Sequence, residues 1–218
     1  MDLKLPLEFL SQLSLNNNKV WFDAHKKDYQ LARTEMMSLV QNIIDDISEF
    51  DESLAGVQAK NCIFRINRDI RFSKDKTLYK TNFGALTGDK GKKSEGTGYY
   101  VHIQPSNIFV GGGIYMPNPE KLAAIRQEID YNPSQLKSLI NSKEFKSTFD
   151  EIQGESLKTA PKGYPKDHPN IELLRLKSFY VVKNYSNAEL VSNDFYKDAI
   201  ITYKKARKFN EYLNQALS

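Results

Sequence analysis

The chain has 218 residues, of which 40% are hydrophobic and 27% are charged, proportions typical of a globular protein with a substantial core. Its formal net charge of +4 is small, whereas dedicated nucleic-acid-binding proteins concentrate far more positive charge, so composition does not favour that class. The single cysteine, Cys62, excludes an intrachain disulfide and a metal cluster built on cysteines.

Neither a targeting segment nor a membrane span is predicted. The first residues lack a basic start followed by an apolar core, which is the pattern of a signal peptide. No apolar run approaches the roughly 20 residues that cross a bilayer. We therefore expect a cytoplasmic protein without a membrane partner, folded as one domain over residues 1–218. The sequence predicts no oligomeric state.

The first third of the chain predicts helices. Apolar residues recur at helical spacing over residues 5–13, and the three asparagines at 16–18 offer a stop and a new N-cap. A longer helix is predicted over residues 26–50, because apolar side chains from Tyr29 to Ile47 approximate one stripe.

The middle third predicts strands. Cys62, Phe64 and Ile66 fall on alternate positions, which predicts a strand that ends near Asn67. We end it there because continuation would place Arg68 on the face of Phe64, an unfavourable position for an unpaired charge. The following residues, 68–80, are then predicted to be irregular.

A hairpin is predicted from two further strands, over residues 99–104 and 108–116, joined through residues 105–107. Between this hairpin and the irregular segment, residues 84–98 are rich in glycine and lysine and predict a mobile loop.

The last hundred residues return to helix. Pro119, Pro133 and Pro169 each stand near a capping residue, as at helix starts. One strand is predicted over residues 179–183 and a terminal helix over residues 193–217. The predicted fold class is therefore α+β, a single domain with an antiparallel sheet of about four or more strands flanked by N-terminal and C-terminal helices.

The most informative segment spans residues 65–80. It carries three arginines and three lysines against two aspartates, an excess of +4 that equals the net charge of the whole chain. Guanidinium groups suit carboxylates and phosphates, and interleaved apolar residues indicate that the segment is held against the fold. The candidate anion-binding residues here are Arg65, Arg68, Arg71, Lys76, Tyr79 and Lys80.

The same segment has a simpler interpretation. Asp69 and Asp75 lie among the cations, so part of the charge is neutralised locally. In a surface network, each exposed ion pair contributes only about 0–1 kcal/mol to the stability of the fold. Most sequences of this kind are simply runs of solvated charges. Both interpretations stand at this point.

Three consecutive glycines interrupt the second strand of the predicted hairpin. Glycine inside a strand marks a bulge or a close approach of backbone. Gly111, Gly112 and Gly113, together with Tyr115, are candidate ligand-binding residues if the sheet face above them is open. The alternative is a helix packed closely over the glycines.

Polar and aromatic residues share one face of the hairpin by parity. Tyr100, His102 and Gln104 form that face on the first strand, and it is more polar than the opposite face. If it coincides with the face of Phe109, the sheet carries a polar, aromatic platform. His102 and Asp69 are the candidates for proton transfer, and the alternative for His102 is an ordinary hydrogen-bonded sheet residue.

No complete catalytic or cofactor motif is present. The glycine runs match no nucleotide-binding pattern, and the three histidines lack the spacing of metal ligands, so no metal site is predicted. No nucleophile motif occurs either. The sequence therefore assigns no cofactor, and it leaves open whether a reaction is catalysed.

Several short motifs occur along the chain. They are Phe9-Leu10, Asn16-Asn17-Asn18, Trp21-Phe22, Arg65-x-x-Arg68-Asp69-x-Arg71-Phe72, Asp75-Lys76-x-x-Tyr79-Lys80, Gly111-Gly112-Gly113-x-Tyr115, Leu122-x-x-Ile125-Arg126 and Pro161-Lys162-Gly163-Tyr164. Together they resemble a bacterial family of conserved hypothetical proteins, the domain of unknown function 2461. The resemblance covers nearly the whole chain and implies membership and a single-domain boundary, but no reaction, substrate or catalytic residue.

Three functions fit these residues. The first is binding of a small anionic ligand that bears phosphate or carboxylate, with or without catalysis. The second is binding of nucleic acid, with the cations on phosphates and the aromatic rings stacked on bases. The third is a structural or interaction protein, in which the arginine–aspartate network only stabilises the fold.

Overall fold

The computed structural model describes all 218 residues and confirms the predicted α+β class. Ten helices flank one antiparallel sheet of four strands in the order β1-β2-β3-β4. The helices are α1 (Lys4–Leu15), α2 (Lys19–Ala24), α3 (Lys26–Ser48), α4 (Ala59–Cys62), α5 (Pro119–Tyr131), α6 (Pro133–Ile140), α7 (Lys143–Phe149), α8 (Ile171–Leu174), α9 (Asn187–Leu190) and α10 (Phe195–Leu217). The strands are β1 (Phe83–Thr87), β2 (Gly98–Gln104), β3 (Asn107–Ile114) and β4 (Phe179–Tyr185).

Two compact units can be distinguished along the chain. The first comprises residues 1–93, 100–110 and 184–200, and the second comprises residues 94–99, 111–183 and 201–218. The prediction of a single domain over residues 1–218 stays a prediction. None of the helices is both long enough and apolar enough to cross a membrane.

Helical periodicity builds the first unit. The predicted helices over residues 5–13 and 26–50 are α1 and α3, and the side chain of Asn18 caps α2 by accepting a hydrogen bond from the Trp21 amide. The predicted stripe of α3 is buried from Met36 to Ile47. Aromatic rings close this core, since Phe9 lies 6.2 Å from Phe22 between ring centroids.

The predicted strand over residues 62–67 is wrong. Cys62 ends the short helix α4, and the following residues pair with two different partners. Ile63 forms an isolated bridge with Ala85 of β1, whereas Asn67 forms one with Tyr79. Residues 63 and 67 thus pair with two different segments, so the alternating apolar residues do not form one continuous strand.

The predicted mobile loop over residues 84–98 is also corrected, because its first part forms β1. Gly84 lies opposite Tyr100 of β2, and a Cβ on Gly84 would stand 2.4 Å from the Tyr100 hydroxyl oxygen. Gly84, which contributed to the prediction of a mobile loop, is instead a strand residue that leaves room for the Tyr100 side chain. The hairpin of β2 and β3 through Pro105 and Ser106 is confirmed.

The second unit packs helices against strand residues. Pro119 and Pro133 begin α5 and α6 as predicted, whereas the sequence analysis does not predict α7. The buried residues of this core are Ile114, Ile125, Ile129, Leu136, Phe145, Phe149, Leu174, Leu176, Phe179, Val181, Ala206, Phe209, Tyr212 and Leu213.

The glycine triplet makes close packing possible within this unit. A Cβ on Gly111 would lie 1.9 Å from the Val181 carbonyl oxygen of β4, and a Cβ on Gly113 would lie 2.2 Å from the Phe179 carbonyl oxygen. On α10, the Cβ of Ala206 would be 3.1 Å from a Cβ on Gly112. The space beside all three glycines is therefore taken by β4 and α10, as in the alternative of a helix packed over them.

We expect Gly111→Ala to destabilise the protein by about 1–3 kcal/mol or more, because the added methyl group would overlap the backbone of β4. The measurement is the free energy of unfolding from urea denaturation. Gly96→Ala is the matched control, since a Cβ at that position would have its nearest neighbours 4.0 Å away. Equal stability of the two variants would contradict this account of the triplet.

Candidate anion-binding site

The basic segment folds as an irregular hairpin, which we call the basic hairpin (residues 66–80). Its stem is closed by two backbone hydrogen bonds, from the Lys80 amide to the Ile66 carbonyl at 2.8 Å and from the Arg68 amide to the Leu78 carbonyl at 3.0 Å. Ile66 and Tyr79 are buried. The predicted attachment of this segment to the fold therefore lies in its stem.

Asn17 anchors the stem from the N-terminal helices. Its side-chain amide donates to the Tyr79 carbonyl at 2.9 Å, and its side-chain oxygen accepts the Tyr79 amide proton at 3.1 Å. The Tyr79 ring stacks on Phe22 with centroids 4.0 Å apart and an interplanar angle of 8°. Tyr79 is thus a core residue that holds the basic hairpin in place.

Near the tip of the basic hairpin two cations, Arg71 and Lys76, are engaged locally, whereas Lys74 is exposed. Arg71 donates from Nε and from a terminal nitrogen to the two carboxylate oxygens of Asp69, at 2.9 and 2.7 Å. This pairing lowers the pKa of Asp69, so its carboxylate is a weak base. Lys76 donates to the Ile70 carbonyl, and the Phe72 ring is 95% exposed.

Arg68 is partly neutralised. Its guanidinium donates to the Asp75 carboxylate and to the Thr77 hydroxyl, and its side chain is 28% exposed. Hydrogen bonds from the Thr77 amide and from Arg68 lower the pKa of Asp75 to about 2. Asp75 is therefore ionised throughout the physiological range, and it offsets one positive charge of the stem.

Arg65 and Lys80, which flank the stem, have no carboxylate within ion-pair distance, and the same is true of Lys74 and Lys76 near the tip. The Lys80 ammonium lies over the Phe64 ring, 5.5 Å from its centroid. Burial lowers the pKa of Lys80, and the charges of Arg65 and Arg68 lower it further. We call Arg65, Arg68 and Lys80 the cationic cluster, in which positive charges repel one another without full compensation.

An aromatic face adjoins this cluster within the first unit. The Tyr100 ring lies 6.5 Å from Phe64 and 5.8 Å from Phe109, and His102 stacks on Phe109 at 4.7 Å with an interplanar angle of 5°. All four side chains are half-buried. We call Phe64, Tyr100, His102 and Phe109 the aromatic face; it matches the predicted platform on β2 and β3.

A chain of hydrogen bonds runs along β2. The Tyr100 hydroxyl lies 3.1 Å from His102 Nδ1, and His102 Nε2 lies 3.3 Å from Gln104 Oε1. The Gln104 amide nitrogen lies 3.5 Å from the Thr81 hydroxyl, so the row of polar groups continues from β2 to Thr81.

The side chains of Tyr100 and His102 are both uncharged near neutral pH. Burial lowers the pKa of His102, although the hydrogen bond to Gln104 opposes the effect, and burial raises the pKa of Tyr100 to about 12. The two ring nitrogens of His102 are both engaged. In this arrangement His102 orients Tyr100 and Gln104.

The remaining sequence candidates lie elsewhere. Gly111, Gly112, Gly113 and Tyr115 belong to the second unit, where the Tyr115 ring is 74% exposed and lies 5.9 Å from Tyr180. No group of three His, Cys, Asp or Glu side chains could hold a metal ion. Of the predicted ligand-binding residues, the structure thus brings together only Arg65, Arg68 and Lys80 as available cations.

The residues that support these cations are not predicted from the sequence. Asn17 belongs to a predicted capping run and to the motifs of the family resemblance, but nothing in the sequence around it marks it as a partner of Tyr79. Phe64 is predicted in a strand, although its ring faces Lys80. Both contacts join segments that are distant along the chain, so only the folded structure could reveal them.

We expect Asn17→Ala to destabilise the protein by about 1–3 kcal/mol, because it removes two hydrogen bonds to the Tyr79 backbone. Exchange of the Tyr79 amide proton with solvent should also accelerate, as followed by NMR. Asn16→Ala is the control, since the Asn16 side chain bonds only within its own helix, to Gln12. Unchanged exchange at Tyr79 would show that Asn17 does not anchor the basic hairpin.

Comparisons with known proteins give a family and no function. The search of curated proteins and the search of solved structures produced no match. A family profile does match, over residues 6–212. The chain therefore belongs to the family described as conserved hypothetical protein (DUF2461).

Proposed function

We propose that this is a soluble protein that binds a small anionic ligand, bearing phosphate or carboxylate, at the cationic cluster. The observation that carries the proposal is the absence of a carboxylate partner at Arg65 and Lys80, beside a third cation that is only partly neutralised. Burial, and then the charges of Arg65 and Arg68, lower the pKa of Lys80, and an anion placed among these groups would relieve the repulsion between the charges. The proposed setting is the bacterial cytoplasm.

The stem geometry supports this proposal. Arg68 and Lys80 belong to opposite sides of one hydrogen-bonded stem, and Asn17 fixes that stem. Because the backbone that carries these donors is already ordered, binding of a ligand has to order only their side chains. A small anion can then accept charge-assisted hydrogen bonds from them.

Nucleic acid is the second candidate, and the exposed Phe72 ring favours it because an exposed aromatic side chain can stack on a base. Against it, Asp69 and Asp75 engage two of the arginines that would contact phosphates. Binding of a strand should show an affinity that falls steeply with salt, whereas a single small anion releases few counterions. The ion pairs of Arg68 and Arg71 also support the structural alternative at those two positions.

We expect Lys80→Ala to weaken binding of inorganic phosphate or citrate by roughly tenfold, and Arg65→Ala by roughly five- to tenfold, since each removes a charged donor. Arg65 is the more exposed residue, so its effect is the smaller. Thermal-shift titration of each variant with each anion gives the relative affinities.

Lys74→Ala is the matched control for charge, because Lys74 is an exposed cation of the same basic hairpin and its side chain makes no hydrogen bond within the protein. We expect it to bind both anions as the parent does. If Lys74→Ala weakened binding as much as Lys80→Ala, only diffuse attraction would be at work, and the proposed site would be disproved.

Anion binding should depend on pH in the alkaline range. Only protonated Lys80 attracts an anion, and its pKa lies below the ordinary lysine value, so affinity should fall as pH rises through that lowered pKa. Sulfate is the probe, because its charge is constant over this range. In Lys80→Arg the decrease should vanish, since arginine stays protonated. An identical pH profile in the parent and in Lys80→Arg would show that Lys80 does not bind the anion.

A further inference from the structure

We propose that the anionic ligand is a nucleoside monophosphate or a closely similar phosphate that carries a planar heteroaromatic ring. This inference rests on the proposed function, because it places the phosphate at the cationic cluster and the ring against the aromatic face. It adds the chemical class of the ligand and the residues that would select it.

The two surfaces are continuous through one side chain. Phe64 contacts the cations through Lys80, whose ammonium is 5.5 Å from the ring centroid, and it contacts the aromatic face through Tyr100 at 6.5 Å. A ligand whose charge lies at Lys80 therefore has aromatic side chains beside it. A ligand that is only an anion, such as inorganic phosphate, would leave these rings unused.

Gly84 allows the rings to form a continuous row. It lies on β1 between Phe64 and Tyr100, since the Phe64 amide donates to the Gly84 carbonyl at 3.0 Å. The Tyr100 hydroxyl occupies the place of a side chain at Gly84, because a Cβ there would be 2.4 Å away. Any larger residue would displace Tyr100 and separate Phe64 from Phe109.

The aromatic face also offers polar groups for the edge of a heterocycle. Asn82 lies on the same face, with its side-chain nitrogen 3.5 Å from the place of a Cβ at Gly84, and its amide makes no hydrogen bond within the protein. Gln104 is held by His102 and Thr81 and retains a second amide proton. A nucleobase can form hydrogen bonds with such amides through its ring nitrogens and carbonyl groups, whereas a hydrocarbon ring cannot.

The charge distribution favours a mononucleotide over a nucleic-acid strand. A strand requires cations spaced along several phosphates, whereas Asp69 and Asp75 already engage Arg71 and Arg68. Two of the cations without a carboxylate, Arg65 and Lys80, adjoin one end of the aromatic face. One phosphate and one ring match this arrangement.

The test compares binding of AMP, UMP and ribose 5-phosphate to the full-length protein, the last ligand having the phosphate without the base. We expect the parent to bind AMP about tenfold more tightly than ribose 5-phosphate, through stacking on the aromatic face. Phe109→Leu should lose this preference and keep its affinity for ribose 5-phosphate, because Phe109 does not contact the cations. Calorimetric titration measures all of these affinities.

Two further variants control for misfolding and for unspecific stacking. Phe109→Tyr keeps the ring and should retain the preference for AMP. Tyr131→Leu removes an aromatic side chain that is 71% exposed on α5, and it should change nothing. Loss of the preference in Phe109→Leu alone would support the proposal.

The remaining outcomes overturn it in distinguishable ways. Equal binding of AMP, UMP and ribose 5-phosphate by the parent would reject the ring and leave the anion site in place. Failure of all three to bind would reject the nucleotide, and failure of inorganic phosphate and citrate as well would reject the anion site. Binding of a thymidine 20-mer with a steep salt dependence, without binding of mononucleotides, would assign the surface to nucleic acid instead.

Discussion

The pair of hydrogen bonds between the Asn17 side chain and the Tyr79 backbone is the constraint on which the candidate site depends. It joins the N-terminal helices to a segment 62 residues away and fixes the stem of the basic hairpin. Tyr79 adds its ring to the core against Phe22. Together with the backbone hydrogen bonds of the stem, this anchor defines the positions of the cations near the stem.

Local carboxylates then decide which cations remain available. Asp69 is two residues from Arg71 and engages it directly, and Asp75 reaches Arg68 across the basic hairpin. Arg65 and Lys80 lie where the stem meets β1 and form no ion pair with either aspartate. Local ion pairs therefore engage two of the three arginines and leave Arg65 and Lys80 without a carboxylate partner, which composition could not reveal.

The glycines illustrate how one residue type serves two purposes. At Gly111 and Gly113 the absence of a side chain lets the backbone of β4 approach closely, so these glycines are needed for packing. At Gly84 it admits the ring of Tyr100, which completes the aromatic face. Sequence patterns alone leave ligand contact and close helix packing both open at the triplet and predict mobility at Gly84, because a sequence does not show what occupies the space beside a glycine.

The sequence by itself determined the α+β class, the long helices, the β2–β3 hairpin and the shared face of Tyr100 and His102, because periodicity and turn chemistry are local properties. It also identified the segment that carries the excess charge. Only the tertiary structure decided that β1 exists, that residues 62–67 form no strand, and that Arg65 and Lys80 lack carboxylate partners. Those features depend on contacts between distant segments, which determine strand partners and ion pairs and leave no periodic signal in the chain.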